Sequence, residues 1–434
     1  MGFQQGLSGL NVSSKNLDVI GNNVANSSTV GFKSGQAQFA DVFAASLAGA
    51  GSTPVGLGAK LAAVSQQFTQ GNITTTNNPL DLAINGGGFY IVSQPGTSVP
   101  YYSRNGQFSL DATNNIVTNE GYRLQGYPVD AAGNILVGST PADLTISRAK
   151  IDPLATGDSA LASGVVANIN LDSRESAITL DFDYTNPNTY NRSTALSIYD
   201  SLGNPHTYTM YFQKTGVNTW DVYATVTNPS GATTSFTDLS DPDANPATPP
   251  VAQQTLTFDT TGKLVSPYTA VNQGITAAQL GYPLGVDPMD FPVDFGSSTQ
   301  FGSSFTVNAL SQDGFSSGEL AGFNVGSDGI IVGRYTNGQS KSLGQVALAN
   351  FANPQGLQPQ GNNRWAVTSN SGVALINVPG AGGTGVLQSA AVEDSNVDLT
   401  AELVNMITAQ RVYQANAQTI KTQDAILQTL VNLR

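Results

Sequence analysis

The last forty residues, Ser395 to Arg434, constrain this chain more than any other stretch. No glycine or proline follows Gly385, and Leu399, Leu403, Met406, Gln410, Tyr413, Ala417, Ile420, Asp424, Leu427 and Val431 recur at alternating steps of four and three. This spacing keeps one residue per turn on a single helix face, the heptad pattern of helices that pack lengthwise. The predicted helix is roughly 57 Å long at 1.5 Å per residue, more than an ordinary globular core needs. Ser395 stands three residues before Asp398, a capping-box-like spacing, and Glu393, Asp394, Asp398 and Glu402 gather where the helix dipole favours anions. Lys421 and Arg434 lie toward the other end. The same rhythm runs through Phe3, Leu7, Leu10, Ser14, Leu17, Gly21 and Val24 at the opposite terminus. Gly6, Gly9 and Gly21 each weaken that helix by roughly 1 kcal/mol against alanine, so it is expected to order only on packing. The plainer reading is a terminal helix pair that closes one monomeric core; what lies between the ends argues against it.

Of 434 residues only 11% are charged and 40% are apolar, which gives room for two to four folded domains. The net charge of −13 is uneven: the two terminal arms are nearly neutral, and the middle carries almost all of the acid. Neutral arms suit close self-packing, whereas an acidic middle suits a solvated outer surface. No basic cluster is present to hold a phosphate backbone, so no nucleic-acid partner is expected. Cysteine is absent, which excludes disulfides and thiolate metal sites. The first fourteen residues hold no lysine or arginine and no continuous apolar run, so no cleaved Sec signal is expected, and no apolar run is long enough for membrane insertion.

The first helix runs out in Gly21 to Lys33, where Asn and Ser compete for backbone hydrogen bonds and Gly31 can take positive φ. Residues 34–79 read as a connector with little core of its own, with short apolar pieces at Phe39 to Phe43 and Leu57 to Val64. From Leu80 the pattern turns to strand: Leu80 to Ile84 alternates, Asn85 to Gly88 turns, and Phe89 to Val92 resumes. Turn chemistry then repeats at Asp111 to Ile116, Asp130 to Asn134, Asp200 to Asn204, Asp259 to Lys263 and Ser327 to Gly329, between strands such as Leu196 to Tyr199, Thr207 to Phe212, Trp220 to Val226 and Phe305 to Val307. A Pro-rich loop at Asp238 to Pro250 and the segment Ala149 to Gly164 punctuate them. The expected fold is therefore mixed α and β and multidomain: a terminal α-helical coiled coil formed by both chain ends, with nested all-β domains inserted between them. The expected borders are 1–33 plus 394–434 for the helical domain, 34–79 plus 361–393 for the connector, 80–148 plus 290–360 for the first β domain, and 149–289 for an outer, variable one. Each domain nearer the middle of the sequence is expected to lie further from the helical axis.

Ala25-Asn26-Ser27-Ser28-Thr29-Val30-Gly31-Phe32-Lys33 resembles the N-terminal signature A-N-x-x-T-x-G-F-K of bacterial flagellar rod and hook axial proteins, with Ala25, Asn26, Thr29, Gly31, Phe32 and Lys33 matching its fixed positions. Asp81 to Tyr90 is similar to that family's D-L-A-I-x-G-x-G-F-F, with Tyr90 as the departure. The runs Ser395 to Leu399, Glu402 to Ile407, Gln410-Arg411 and Asn416 to Thr422 resemble the hook branch in particular, as do Leu348 to Asn353 and Ser371 to Leu375. The resemblance covers both ends and the first β domain; residues 150–290 match more loosely. It implies a hook subunit that polymerises with itself into a curved tube, a universal joint passing torque from rod to filament. By the same resemblance its partners are the distal rod, the hook cap, the hook–filament junction protein and the flagellar export apparatus, and its place is outside the cell. The expected assembly contacts are Phe3, Leu7, Leu10, Leu17 and Val24 against Leu399, Leu403, Met406, Tyr413, Ile420, Leu427 and Val431, partly within and partly between subunits.

Catalysis finds little support. His206 is the sole histidine, without a cysteine to pair with, and no G-x-S-x-G elbow precedes a helix; it reads as an exposed or structural histidine. Asp181 and Asp183 fall on one face of an expected strand, and Asp287, Asp290 and Asp294 lie close in sequence, as a glycosidase or calcium site would need. No complete D-x-D-x-D-G loop appears, so turn and edge carboxylates are the default. Gly86 to Gly88 lacks the Lys-Ser/Thr of a phosphate loop. No catalytic residue, cofactor or metal is assigned. The alternatives are a distal rod subunit, in which the insertion at about 150–290 is surplus, and, from another class, a secreted β-rich carbohydrate-active enzyme or adhesin, which leaves both heptad ends unexplained.

Overall fold

A computed structural model of the chain describes residues 2–42, 56–97, 99–130, 133–159, 163–227, 233–236, 252–265, 268–277, 279–280 and 285–432, with side chains for all of these but 2, 233–236 and 430–432. The expected loop at Asp238 to Pro250 lies outside the described residues, as do Phe43, the middle of the Asp130 to Asn134 turn and part of the Ala149 to Gly164 segment. The chain divides into two compact units, one made of 1–148, 321–334 and 340–434, the other of 149–320 and 335–339.

The first unit holds both long helices, α1 (Gly2–Ala25) and α2 (Leu399–Asn432). The start of α2 differs from the expected cap. Asp398, not Ser395, caps it, its Oδ1 accepting the Thr400 and Ala401 amides at 2.9 and 3.1 Å. Ser395 is left outside the helix because the chain up to Glu393 is still in a strand, Ala391–Glu393, paired with Ile73–Thr75. The connector is also more structured than its composition suggests. Strands β1 (Gly35–Val42) and β2 (Gly58–Gln66) pair antiparallel, and β2 is fixed to α1 by Ser8, whose hydroxyl donates to the Ala59 carbonyl and accepts the Ala59 amide. Gly58 is required there: at φ 127° its missing Cβ leaves room for the Ser8 hydroxyl.

Strand Phe89–Ser93 is central to the β part of this unit, pairing antiparallel with Pro100–Ser103, Arg123–Tyr127 and Leu348–Asn350. Phe89, Tyr102, Phe351 and Trp365 meet edge-on beneath it. Leu82–Asn85 pairs with Val386–Ser389 rather than standing at a half-exposed surface. Leu82, Ala83 and Ile84 are consequently all buried, so the expected alternation does not hold. Strands from the two ends of the sequence thus close on each other beside the helices.

The second unit is built on one core between two five-stranded sheets. Val165–Asp172 runs parallel to Met289–Asp294 and Thr299–Phe301 and antiparallel to Thr306–Gln312. Opposite it, Arg192–Tyr199, Pro205–Gly216 and Thr219–Thr227 form an antiparallel meander. Met210, Phe212, Trp220 and Phe291 fill the space between, all fully buried or nearly so. The strands between 289 and 312 complete this unit's first sheet, so the compact unit runs on to Leu320, past the expected border at 289/290. Turn chemistry alone does not reveal which side of a border a strand pairs on.

The repeated Asp turns share one construction. The side-chain oxygens of Asp111, Asp130, Asp200 and Asp259 accept the amide of the residue four positions on, while their backbone carbonyls accept that of the third. The third position needs φ > 0, supplied by Gly133, Gly203 and Gly262 and, in the first turn, by Asn114 at φ 62°. Hydrogen bonds from the Asn115 side chain and from the turn amides hold the Asp111 carboxyl down to about 2.

Candidate assembly interface

The helices run antiparallel, Asn23 facing Glu402 and Gly6 facing Ile420, and together they carry about half of the first unit's exposed large apolar side chains among the described residues. They meet through small residues. A Cβ on Gly6 would lie 3.0 Å from Ile420 Cγ1, and one on Gly9 2.6 Å from Asn416 Oδ1. Ser13, Ile20 and Asn23 on α1 and Ala409 on α2 are buried. Asn23 donates to Glu402 Oε1 at 3.2 Å and exchanges two hydrogen bonds with Gly35. Gly6 and Gly9, two of the glycines that weaken α1 as an isolated helix, are thus what lets α2 approach it.

The large residues of the expected seam are placed differently. Phe3, Leu7, Leu399, Leu403, Tyr413 and Leu427 are exposed, Leu403 at 44% and Leu427 at 52%. Leu10, Leu17, Val24, Met406 and Ile420 are half-buried, and the Val431 side chain lies outside the described residues. Within one chain, then, the closest approach is at Gly6, Gly9, Ser13 and Ala409, with Ile20 buried beside them and Ile420 of the expected seam packed on Gly6, while the rest of the large-residue heptad is half-buried or exposed. Val404, Ile407, Val412 and Ile426 widen the exposed apolar surface of α2.

The signature residues form the junction that carries the helices. Ala25 is the last residue of α1, and Thr29 donates to the Asn26 side chain in the turn that follows. Gly31 has φ 71° and packs so closely on the Arg104–Asn105 backbone that a Cβ would come within 2.6 Å of it. Its amide donates to the Glu393 carbonyl at 2.7 Å. Phe32 is half-buried, and Lys33 is wholly buried. The Lys33 ammonium donates to Glu393 Oε1 at 2.5 Å and to the Thr69 carbonyl at 2.8 Å. Arg104 donates to Glu393 Oε2 at 3.2 Å and lies over the Phe89 ring. Burial pulls the Lys33 ammonium below its usual range, and the Glu393 charge works against that. Burial likewise pushes the Tyr90 hydroxyl well up as it donates to the Leu82 carbonyl.

Sequence reasoning placed Glu393 at a helix dipole; it is instead a buried anion shared by two cations from distant segments. It also missed Arg104, Asn396, whose side chain bonds Ser34, Gln67 and Thr69, and the small-residue seam. Gly6 and Gly9 three apart on one helix were the available signal for the seam.

His206, Asp183 and Asp294, three of the remaining candidates, make local structural contacts. His206 is buried with Nε2 3.2 Å from Asp200 Oδ2. Residues 181–183 are not in a strand, because Asp183 closes a turn onto Thr185. Asp294 accepts the Gly296 amide, and the Asp287 amide bonds Ser201. Among the described residues no cluster of acidic or histidine side chains is arranged to hold a metal, and no helix is long and apolar enough to cross a membrane.

Within the first unit, terminal helices with an exposed apolar face carried on a buried junction are what the resemblance to flagellar axial proteins implies. The sequence matches the models for Flagella basal body rod protein over 3–33, Flagellar hook protein FlgE/F/G D1 domain over 83–152, Flagellar basal body protein FlaE D2 domain over 170–315 and Flagellar basal body rod FlgEFG protein C-terminal over 388–433. It is 43% identical to the flagellar hook proteins FlgE of Escherichia coli and Salmonella typhimurium, with all of each chain covered. To that of Borreliella burgdorferi it is 33% identical, covering 99% of this chain and 98% of that one. The solved flagellar hook protein FlgE2 of Helicobacter pylori shares the fold at a TM-score of 0.50 and 12% identity, over 73% of this chain and 99% of that one. The chain belongs to the flagellar hook protein family and is a structural hook subunit.

Proposed function

We propose that the chain polymerises with itself, through its terminal helices, into a curved tube that serves as a universal joint between rod and filament. The observation that carries this reading is the row of large apolar side chains left exposed on helices already paired through small ones. A monomer gains nothing from that surface. Each such side chain is worth roughly 1.5 to 3 kcal/mol when buried, so neighbouring copies supply the missing partner. The helices of many copies then form the inner, coiled-coil layer, and the acidic second unit faces outward, touching through small wet patches that slide as the tube turns. By family likeness the rod, the hook cap, the hook–filament junction protein and the flagellar export apparatus are its partners, and it leaves the cell without a cleaved signal.

Leu399→Asp and Leu403→Asp test this. Both positions are exposed, so each variant is expected to keep its β circular-dichroism signal and remain monomeric in sulfate, where the parent chain forms sedimenting tubes seen by electron microscopy. Normal tubes from both variants would overturn it.

A further inference from the structure

α1 and α2 end together at one side of the pair and not at the other. Asn23, near the end of α1, faces Glu402, near the start of α2. At the other side Gly6 faces Ile420, so Gly2, four residues earlier on an antiparallel helix, lies opposite about residue 424. α2 continues to Asn432. Its last eight or so residues, roughly 12 Å at 1.5 Å per residue, thus run past the start of its partner. This overhang prolongs the face that packs on α1. It carries Ile426 and Leu427, both about half exposed, and between Thr422 and Asn432 its only charged side chain is Asp424, on the same face as Leu427.

Among the described residues, two grooves lie beside α1. One, of about 520 Å³, lies between both helices and β1 and has Glu402 as its only charged residue. The other, of about 500 Å³, lies between α1 and β2, with Leu7, Val12 and Leu61 as apolar walls and Lys15 and Lys60 as its charged lining, Lys15 also pairing with Asp18 at 3.3 Å on the exposed helix surface. The acidic groove repels Asp424; the basic one complements it while receiving Leu427. A chain's own overhang cannot fill its own basic groove, because α2 passes along α1 toward Gly2 and then leads away from Leu7 and Lys15.

Resting on the self-assembly reading above, we infer that the overhanging end of α2 from one copy seats in the α1–β2 groove of a second copy, with Leu427 beside Leu7 and Asp424 near Lys15 and Lys60. Each copy offers one end and one groove, so the contact can pass from copy to copy along a polymer.

The chain has no cysteine, so introduced thiols report only themselves. A Leu427→Cys chain is co-assembled with a Leu7→Cys chain carrying a mass tag, oxidised, and run without reductant; a parallel mixture uses Val412→Cys, which lines the acidic groove. All three positions are exposed, so the fold is retained. The expected result is a mixed 427–7 disulfide in most of the polymer, at least tenfold over the 427–412 product. Polymers that crosslink 427 to 412 but not to 7, or to neither, overturn this contact and leave self-assembly standing. A parent chain that forms no polymer overturns the self-assembly reading, and this contact with it.

Discussion

Glu393 is the residue on which the connection between helices and β part depends. Its carboxylate is buried and is bonded to two buried cations, Lys33 and Arg104, that belong to segments far away in the sequence. Removing one partner of a buried charge network leaves the others uncompensated, which typically costs about 3 to 5 kcal/mol. Glu393→Gln is therefore expected to lower the unfolding free energy of the first unit by that amount, read as a lower urea midpoint at unchanged slope, and to let Lys33 give up its proton more readily. An unchanged midpoint would show that the network does not hold the junction. Lys33 was legible in the sequence as part of a signature, and Gly31 as a residue able to take positive φ. Their partner was not. An ion pair spanning 360 positions leaves no periodic trace, and an acid just before a helix looks like a dipole partner whether or not it is buried.

For α1 as an element, the sign of a glycine substitution depends on what stands opposite. Nothing lies within 4 Å of a Cβ added at Gly21, whereas one at Gly9 meets Asn416 at 2.6 Å. Gly21→Ala is expected to stabilise α1 by about 1 kcal/mol, the propensity difference alone. Gly9→Leu is expected to force the helices apart at a cost of about 1 to 3 kcal/mol. The thermal loss of far-ultraviolet helix signal measures both, and shifts of the same sign would refute the small-residue seam. The period of the two helices was legible, because a 3.6-residue repeat writes apolar spacing directly into the chain. Which residues of that repeat face the partner was not: the large residues dominate the pattern, and the contact mixes Gly6, Gly9, Ser13 and Ala409 with Ile20 and Ile420.

In the whole molecule, alternating runs and Asp-Gly turns made the β-rich middle legible. They did not show that the strands after 289 pair back onto Val165–Asp172, since pairing is settled by which hydrophobic faces meet, not by the turns between them. The central claim is that the exposed helix surface is completed by other copies. Amide hydrogen exchange before and after assembly tests it most directly. The account predicts that in the monomer α1 and α2 exchange much faster than Val165–Asp172 or Phe89–Ser93, and that assembly slows the helices by at least about tenfold while the strand cores stay as they were. Helices protected as strongly in the monomer as those strands, and unchanged on assembly, would contradict it.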